Sequence, residues 1–220
     1  MNNFLPLFQA FDALFPIGAY TLSNGMETYT QKGIVRCGDT LLDFLKAQVY
    51  LLPYNDLGLA AKAADGVDLV QLDNLCSAMK QPREIRTGSE KLCTRFLKAQ
   101  SALSDYPSLT AYRKAISEGV CDGHYPVAAG LFIRDLHAAT STAIELYCYH
   151  ILSAFVNQAV KLVPLGQLYG QSALFEAMKL IPEAARKALS VSMDELGASG
   201  CGFDLRAMQH EVMSGRLYMS

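Results

Sequence analysis

The stretch from Thr140 to Val163 constrains this chain most. It contains neither proline nor glycine, and apolar side chains recur at 144, 147, 148, 151, 152, 155, 156, 159, 160 and 163. On a helix of about 3.6 residues per turn these positions cover most of the circumference instead of one stripe, so the segment must be packed on several sides. At about 1.5 Å per residue it predicts a rod roughly 36 Å long, the width of a whole domain. Glu145, His150, Asn157, Gln158 and Lys161 interrupt the window and would be prohibitive at the centre of a bilayer. The segment therefore reads as a buried helix, with no membrane span.

Shorter helical patterns fill the remainder, punctuated by proline and glycine. Asn3 is placed to cap a first helix through Leu14, which Phe15-Pro16-Ile17-Gly18 stops. A second runs from Thr21 to Lys32 and ends at Gly33. Asp39 or Thr40 caps a third, which Pro53 breaks before a continuation over 56–64. Helices over 67–80 and 84–103 follow, and Pro107 and Pro126 suit the first turns of two more. Segments 167–180, 183–192 and 205–214 complete the pattern, and no linker or repeat divides it. The expectation is an all-α, single-domain bundle of about ten helices around the long central helix, spanning 1–220.

Composition narrows function. Nineteen Lys+Arg against 21 Asp+Glu leave a formal charge of −2, with no basic excess to condense on phosphate, so a nucleic-acid partner is not expected. Charged residues make up 18% and hydrophobic ones 51%, which excludes disorder and predicts exposed apolar surface meant for a partner. The six cysteines, at 37, 76, 93, 121, 148 and 201, are far apart and form no CxxC, a pattern of reduced thiols. The first residues carry no basic segment before their apolar run, and Asp12 and Pro16 interrupt it, so a cytoplasmic location is expected.

Motifs for catalysis are missing. No two of His124, His137, His150 and His210 share a helix face at ligand spacing, and neither GxxxxGK[ST], GxSxG nor HExxH occurs. The one compact donor cluster, Cys121-Asp122-Gly123-His124, makes Cys121 and His124 weak metal candidates, in a loop whose Asp and Gly equally suit a plain turn. Neither a cofactor, a resident metal nor a catalytic residue is expected.

Three stretches are unusual. In Phe15–Glu27 a proline-glycine turn feeds a helix carrying Ser23 and Gly25, and a glycine within a helix costs about 1 kcal/mol against alanine, which points to close approach of another backbone. In Asn157–Gln167 an amide pair and Lys161 lie on an apolar helix before the stop at Pro164-Leu165-Gly166; Lys161 either reaches solvent or bonds across an interface. In Phe203–Ser220, Arg206 and His210 share a face, and Arg216, Leu217 and Tyr218 are residue types that anchor interfaces. Residues 203–220 read as a docking segment that orders on binding, so removing 209–220 should leave melting nearly unchanged.

With HYPVAAG at 124–130 and REIRTGSEKL at 83–92, the segments FPIGAYTLSNGMET, NQAVKLVPLGQ and MQHEVMSGRLYMS together resemble the UreF family of urease accessory proteins, in register along nearly the whole chain. Position 24 holds Asn where that family more often has His or Gln.

The resemblance implies a non-catalytic, all-α protein that dimerises and bridges a UreD/UreH-type accessory protein and the GTPase UreG. The assembly would deliver nickel to apo-urease and coordinate that transfer with GTP hydrolysis. His210, Glu211, Arg216, Leu217 and Tyr218 would then dock on the UreD/UreH-type partner. Tyr20, Ser23, Gly25 and Glu27, with Lys161, Pro164, Gly166 and Gln167, would form the dimer centre or the GTPase face. The residues alone also admit a helical enzyme or small-molecule binder with a pocket between helices, using His124 or a cysteine.

Overall fold

The computed structural model describes residues 4–198 and 200–219, and Asn3, placed above as a cap, lies outside them. In chain order the α-helices are α1 (Phe4–Ala10), α2 (Met26–Gln31), α3 (Gly38–Leu51), α4 (Asp56–Asp65), α5 (Leu69–Met79), α6 (Arg83–Leu103), α7 (Pro107–Ser117), α8 (Tyr125–Asp135), α9 (Thr140–Leu162), α10 (Gln167–Met178), α11 (Ile181–Ser190) and α12 (Cys201–His210). No strand occurs among the described residues, and the chain is a single all-α domain. No helix among them is long and apolar enough to cross a membrane.

Local chemistry explains the boundaries. Pro107 and Pro126 stand in the first turns of α7 and α8, where a missing N–H costs nothing. Pro53 ends α3 in a short 3₁₀ turn, and Thr40 caps α3 from within by accepting the N–H of Cys37. α1 is shorter than its periodicity predicts. Asp12 Oδ1 accepts the N–H of Leu14 at 2.7 Å, a local turn that competes with continued helix.

α9 is the longest helix and contacts α1, α2, α3, α4, α8, α10 and α11. Its exposed positions are Ser141, Thr142, Tyr149, Asn157 and Lys161, so Lys161 reaches solvent in this chain. α4 packs against α8 with small residues lining both sides. A Cβ on Gly130 would overlap the backbone carbonyl of Ala60 and the methyl of Ala63, so glycine is what lets these two axes approach.

α12 closes the bundle near its beginning. Phe203 packs on Phe44 of α3 with ring centroids 5.5 Å apart and on Tyr29 of α2 at 5.5 Å, while Phe44 meets Phe155 of α9 edge-on. Helices α2 and α6 complete the support for α12. Its position, starting at Cys201 instead of near 205, brings His210 to the end of the helix and leaves 211–219 outside any helix.

Candidate functional site

The turn before α2 is sharper than the sequence pattern suggests. Asn24 (φ 48°) and Gly25 (φ 83°) are successive left-handed residues, so the helix expected over 21–32 breaks and restarts at Met26, with Gly25 as its N-cap and not inside it. Asn is among the few side chains that tolerate this conformation. The turn is pinned by Gln158 of α9, whose Nε2 donates to Leu22 O at 2.6 Å. Gly25 is buried with its Cα facing Ala207 of α12, where a Cβ would reach the Ala207 backbone at 3.4 Å. The close approach expected at Gly25 therefore occurs within one chain, between α2 and α12.

Glu27, in the first turn of α2, is only 2% exposed. Its Oε1 accepts the backbone N–H of Leu217 at 2.6 Å and its Oε2 accepts that of Tyr218 at 3.0 Å. His210 Nε2 lies 3.0 Å from the same Oε2, and His210 Nδ1 lies 2.6 Å from Glu84 Oε2. Arg216 Nη1 donates to Glu84 Oε1 at 2.7 Å, and Arg83 reaches Glu211 at 3.0 Å on the rim. Beyond these side chains, Met219 N–H donates to Thr21 O at 2.9 Å. Residues 211–219 are thus strapped across α2 and α6 by charge-assisted hydrogen bonds, the stronger kind.

This placement sorts the sequence-derived residues. His210, Glu27 and Gly25 are buried together with Ser23, and Tyr218 is 8% exposed, so they shape the site from below. Arg216 and Leu217 are exposed, Leu217 at 69%, and Val212 beside them at 87%. Of the four residues named in the first stretch, Tyr20, Ser23, Gly25 and Glu27, Tyr20 alone is exposed. Ser23, Gly25 and Glu27 are buried in this conformation; Gly25 faces Ala207 of α12, and Glu27 holds the strap. The tail is tied to a buried carboxylate, a contact that argues for a stability cost on its removal where the sequence alone suggests nearly unchanged melting. Glu84 stands in REIRTGSEKL without an assigned role; the available signal was an acidic residue able to pair with Arg216 of the tail.

The second group lies elsewhere. Lys161, Pro164, Gly166 and Gln167 form an exposed corner between α9 and α10, continued by exposed Leu168, Tyr169 and Phe175 along α10. α10 rests on α3 and α9, whereas α12 rests on α2 and α6 and meets α3 through Phe203.

The Cys121–His124 loop is built by a residue that sequence spacing could not reveal. Buried Asp73 of α5 accepts the hydroxyl of Tyr112, the Asp122 N–H at 2.6 Å and the Gly123 N–H at 3.1 Å. His124 Nε2 lies 2.8 Å from Ser77 Oγ, which donates to Asp122 Oδ2 at 2.6 Å, so Nε2 carries the ring proton and Nδ1 faces Ser89 Oγ at 3.3 Å. Asp73, Asp122 and His124 offer ligand atoms within 4.8 Å of one another, and Cys121 is not of that group. Burial lowers the His124 pKa and pushes the Cys121 thiol up to about 11, so neither a cationic imidazole nor a thiolate is supplied here. Every contact of Asp73 serves to shape the turn.

Between α3, α6, α9 and α12 lies a cavity of about 190 Å³, reached by Tyr125, Tyr147, His150 and Gln158. The hydroxyl of Tyr125 and Oε1 of Gln158 are buried there without a partner among the described residues. The nucleophiles expected of a helical enzyme do not line it: His124 and all six cysteines stand elsewhere.

Comparison with known proteins agrees with the resemblance. Residues 35–178 match the UreF family. The chain is 35% identical to the urease accessory protein UreF of Actinobacillus pleuropneumoniae serotype 5b (strain L20), with 100% of each covered. It is 34% identical to the same-named protein of Haemophilus influenzae (strain PittGG), over 95% of this chain and 92% of that one. A protein so named from Paenarthrobacter aurescens (strain TC1) is also 34% identical, over 98% and 97%. Glu27 and the strap fall outside the matched 35–178 but inside the nearly end-to-end likeness to these relatives. The chain belongs to the UreF family of urease accessory proteins.

Proposed function

We propose that this protein is a cytoplasmic, non-catalytic scaffold in urease maturation, which as a homodimer bridges a UreD/UreH-type protein and the GTPase UreG and couples GTP hydrolysis to nickel insertion into apo-urease. The observation that carries the reading is the strap. Residues 211–219 are held by buried anchors while Val212, Arg216, Leu217 and Met219 face outward, so a partner meets a surface whose ordering cost is already met. Residues 203–220 are then the docking segment for the UreD/UreH-type protein, with Arg216 and Leu217 as its anchors. The Lys161–Gln167 corner, with the apolar outer side of α10, supplies a second surface for the second copy or the GTPase. No phosphate loop occurs in the sequence, so GTP turnover must be altered through contacts that position the GTPase's own groups.

Leu217→Asp tests this in the full-length chain. Its side chain is exposed, so melting and helicity should stay at wild-type values, while capture of the UreD/UreH-type partner falls by about thirtyfold, the loss of one anchor of about 2 kcal/mol. Undiminished capture overturns the placement of this interface.

A further inference from the structure

The contacts around His210 require one more proton than a neutral imidazole carries. Nδ1 and Nε2 each lie within hydrogen-bond distance of a glutamate oxygen, at 2.6 Å from Glu84 and 3.0 Å from Glu27. A neutral ring has an N–H on one nitrogen and a lone pair on the other, and an ionised carboxylate only accepts. With the imidazole neutral and both glutamates ionised, one of the contacts would set lone pair against lone pair. No water relieves such a clash readily, because the His210 side chain is 0% exposed and that of Glu27 3%. The other glutamate oxygens are committed as well: Glu27 Oε1 to Leu217 N–H and Glu84 Oε1 to Arg216.

We propose that the His210–Glu27–Glu84 cluster holds one shared proton, and that this proton fastens residues 211–219 to the body of the protein. With it, Glu27, Glu84, His210 and Arg216 balance in charge. Without it, the set keeps a net negative charge against a buried ring, and unpaired buried charge is strongly unfavourable. The ring lone pair then faces one of the two carboxylates, and the acidic pair that holds the strap, Glu27 through the Leu217 and Tyr218 N–H groups and Glu84 through Arg216, loses the positive charge between its members. The surrounding charges do not cancel this. Arg83 is taken by Glu211 on the rim; from α12 come Asp204 and Arg206, the latter bonded to Gln209; and the strap contributes Arg216 and the Tyr218 phenol, whose pKa burial raises. The docked strap binds one proton more than a released strap with neutral imidazole and ionised carboxylates, so docking weakens as pH rises.

The experiment uses the full-length protein in two arms. Long-range ¹H–¹⁵N spectra of His210 report whether each ring nitrogen carries a proton. Amide hydrogen exchange of Leu217, Tyr218 and Met219, expressed as protection relative to α9 amides, reports docking. As the pH is raised, the wild type should pass from a ring protonated on both nitrogens to one protonated on a single nitrogen and lose strap protection by tenfold or more, with α9 unchanged. In Glu84→Gln the side-chain amide can face either form of the ring, so docking should no longer depend on pH. A protonation state with a single proton among the three groups while the strap stays protected overturns the proposal. So does strap protection that is flat with pH in the wild type, or equally pH-dependent in Glu84→Gln. The spectra are read on the wild type, so the first result stands even if the variant does not fold.

Discussion

Glu27 Oε2 accepts the backbone N–H of Tyr218 at 3.0 Å, joining residues 191 positions apart through a carboxylate that is nearly inaccessible to water. The bond makes no use of the tyrosine side chain. Any residue with an N–H could stand at 218 as far as this contact is concerned, whereas the acceptor at 27 must be a carboxylate of this reach.

Replacing Glu27 by alanine should therefore act on the fold before it acts on any partner. It leaves His210 and two backbone N–H groups without their acceptor in a buried setting. We expect a loss of about 3 kcal/mol, as for breaking a buried charged pair, read as a lowered urea midpoint at unchanged slope. Glu27→Gln, which keeps one acceptor oxygen, should lose less. A Glu27→Ala midpoint equal to wild type would show that the strap contributes nothing to stability.

Ending the chain at His210 removes the same contacts from the other side. The deletion should cost about 2 kcal/mol, because Glu27 loses both backbone donors and Glu84 loses Arg216. Combined with Glu27→Ala, the two losses should fall well short of their sum, since both break one network. Full additivity in the double-variant cycle would mean that the strap and Glu27 are independent.

Histidine burial gives a pH dependence of a different kind. Burial lowers the pKa of His150, against which the Phe11 carbonyl, accepting from Nδ1 at 2.9 Å, pulls upward. Burial likewise lowers that of His124. A histidine depressed in the folded state binds fewer protons there than in the unfolded chain, so its contribution is present at high pH and is lost as pH falls below the unfolded value of about 6.5. Each group should tilt stability by up to about 1.4 kcal/mol per pH unit in that acid range. Urea titrations at about pH 7 and about pH 5.5 should show a smaller acid loss in His150→Gln than in the wild type; an identical loss would exclude His150 as a source.

The α4–α8 crossing offers a test of packing alone. Gly130→Ala places a methyl against the Ala60 carbonyl, a backbone group that cannot swing aside. We expect destabilisation of about 2 kcal/mol or more from forced separation of the helices. Gly119 makes a useful contrast, since a Cβ there meets nothing within 4 Å and only its φ of 72° opposes the change. Gly119→Ala should cost about 1 kcal/mol. Circular-dichroism melts that rank the two in reverse order would contradict the role assigned to Gly130.

Helix positions were legible wherever a local rule decides them. Pro107 and Pro126 announce α7 and α8 because a proline ring fits a first turn, and the apolar spacing from 144 to 163 announces α9. The break at Asn24–Gly25 was not legible, since a glycine beside a helical pattern is equally compatible with an interior position. Glu27 and the tail were each recognisable as unusual, but nothing in spacing says that two segments so far apart meet each other and not a second molecule. Asp73 was invisible for a related reason. One aspartate on an ordinary amphipathic helix becomes the organiser of 122–124 only when α7 and α8 bring Tyr112 and that loop around it.

The contact between Gly25 and Ala207 also orders events in time. A ribosome makes the α2 turn early, yet the surface that covers it is translated nearly two hundred residues later, so α2 and its buried carboxylate stay uncovered through most of synthesis. A nascent or prematurely terminated chain can form the α4–α8 pair, whose two helices are much nearer in sequence, and still lack the outward-facing Val212 and Leu217. A partner that docks on that surface, as proposed above, would find it only on chains translated past residue 218.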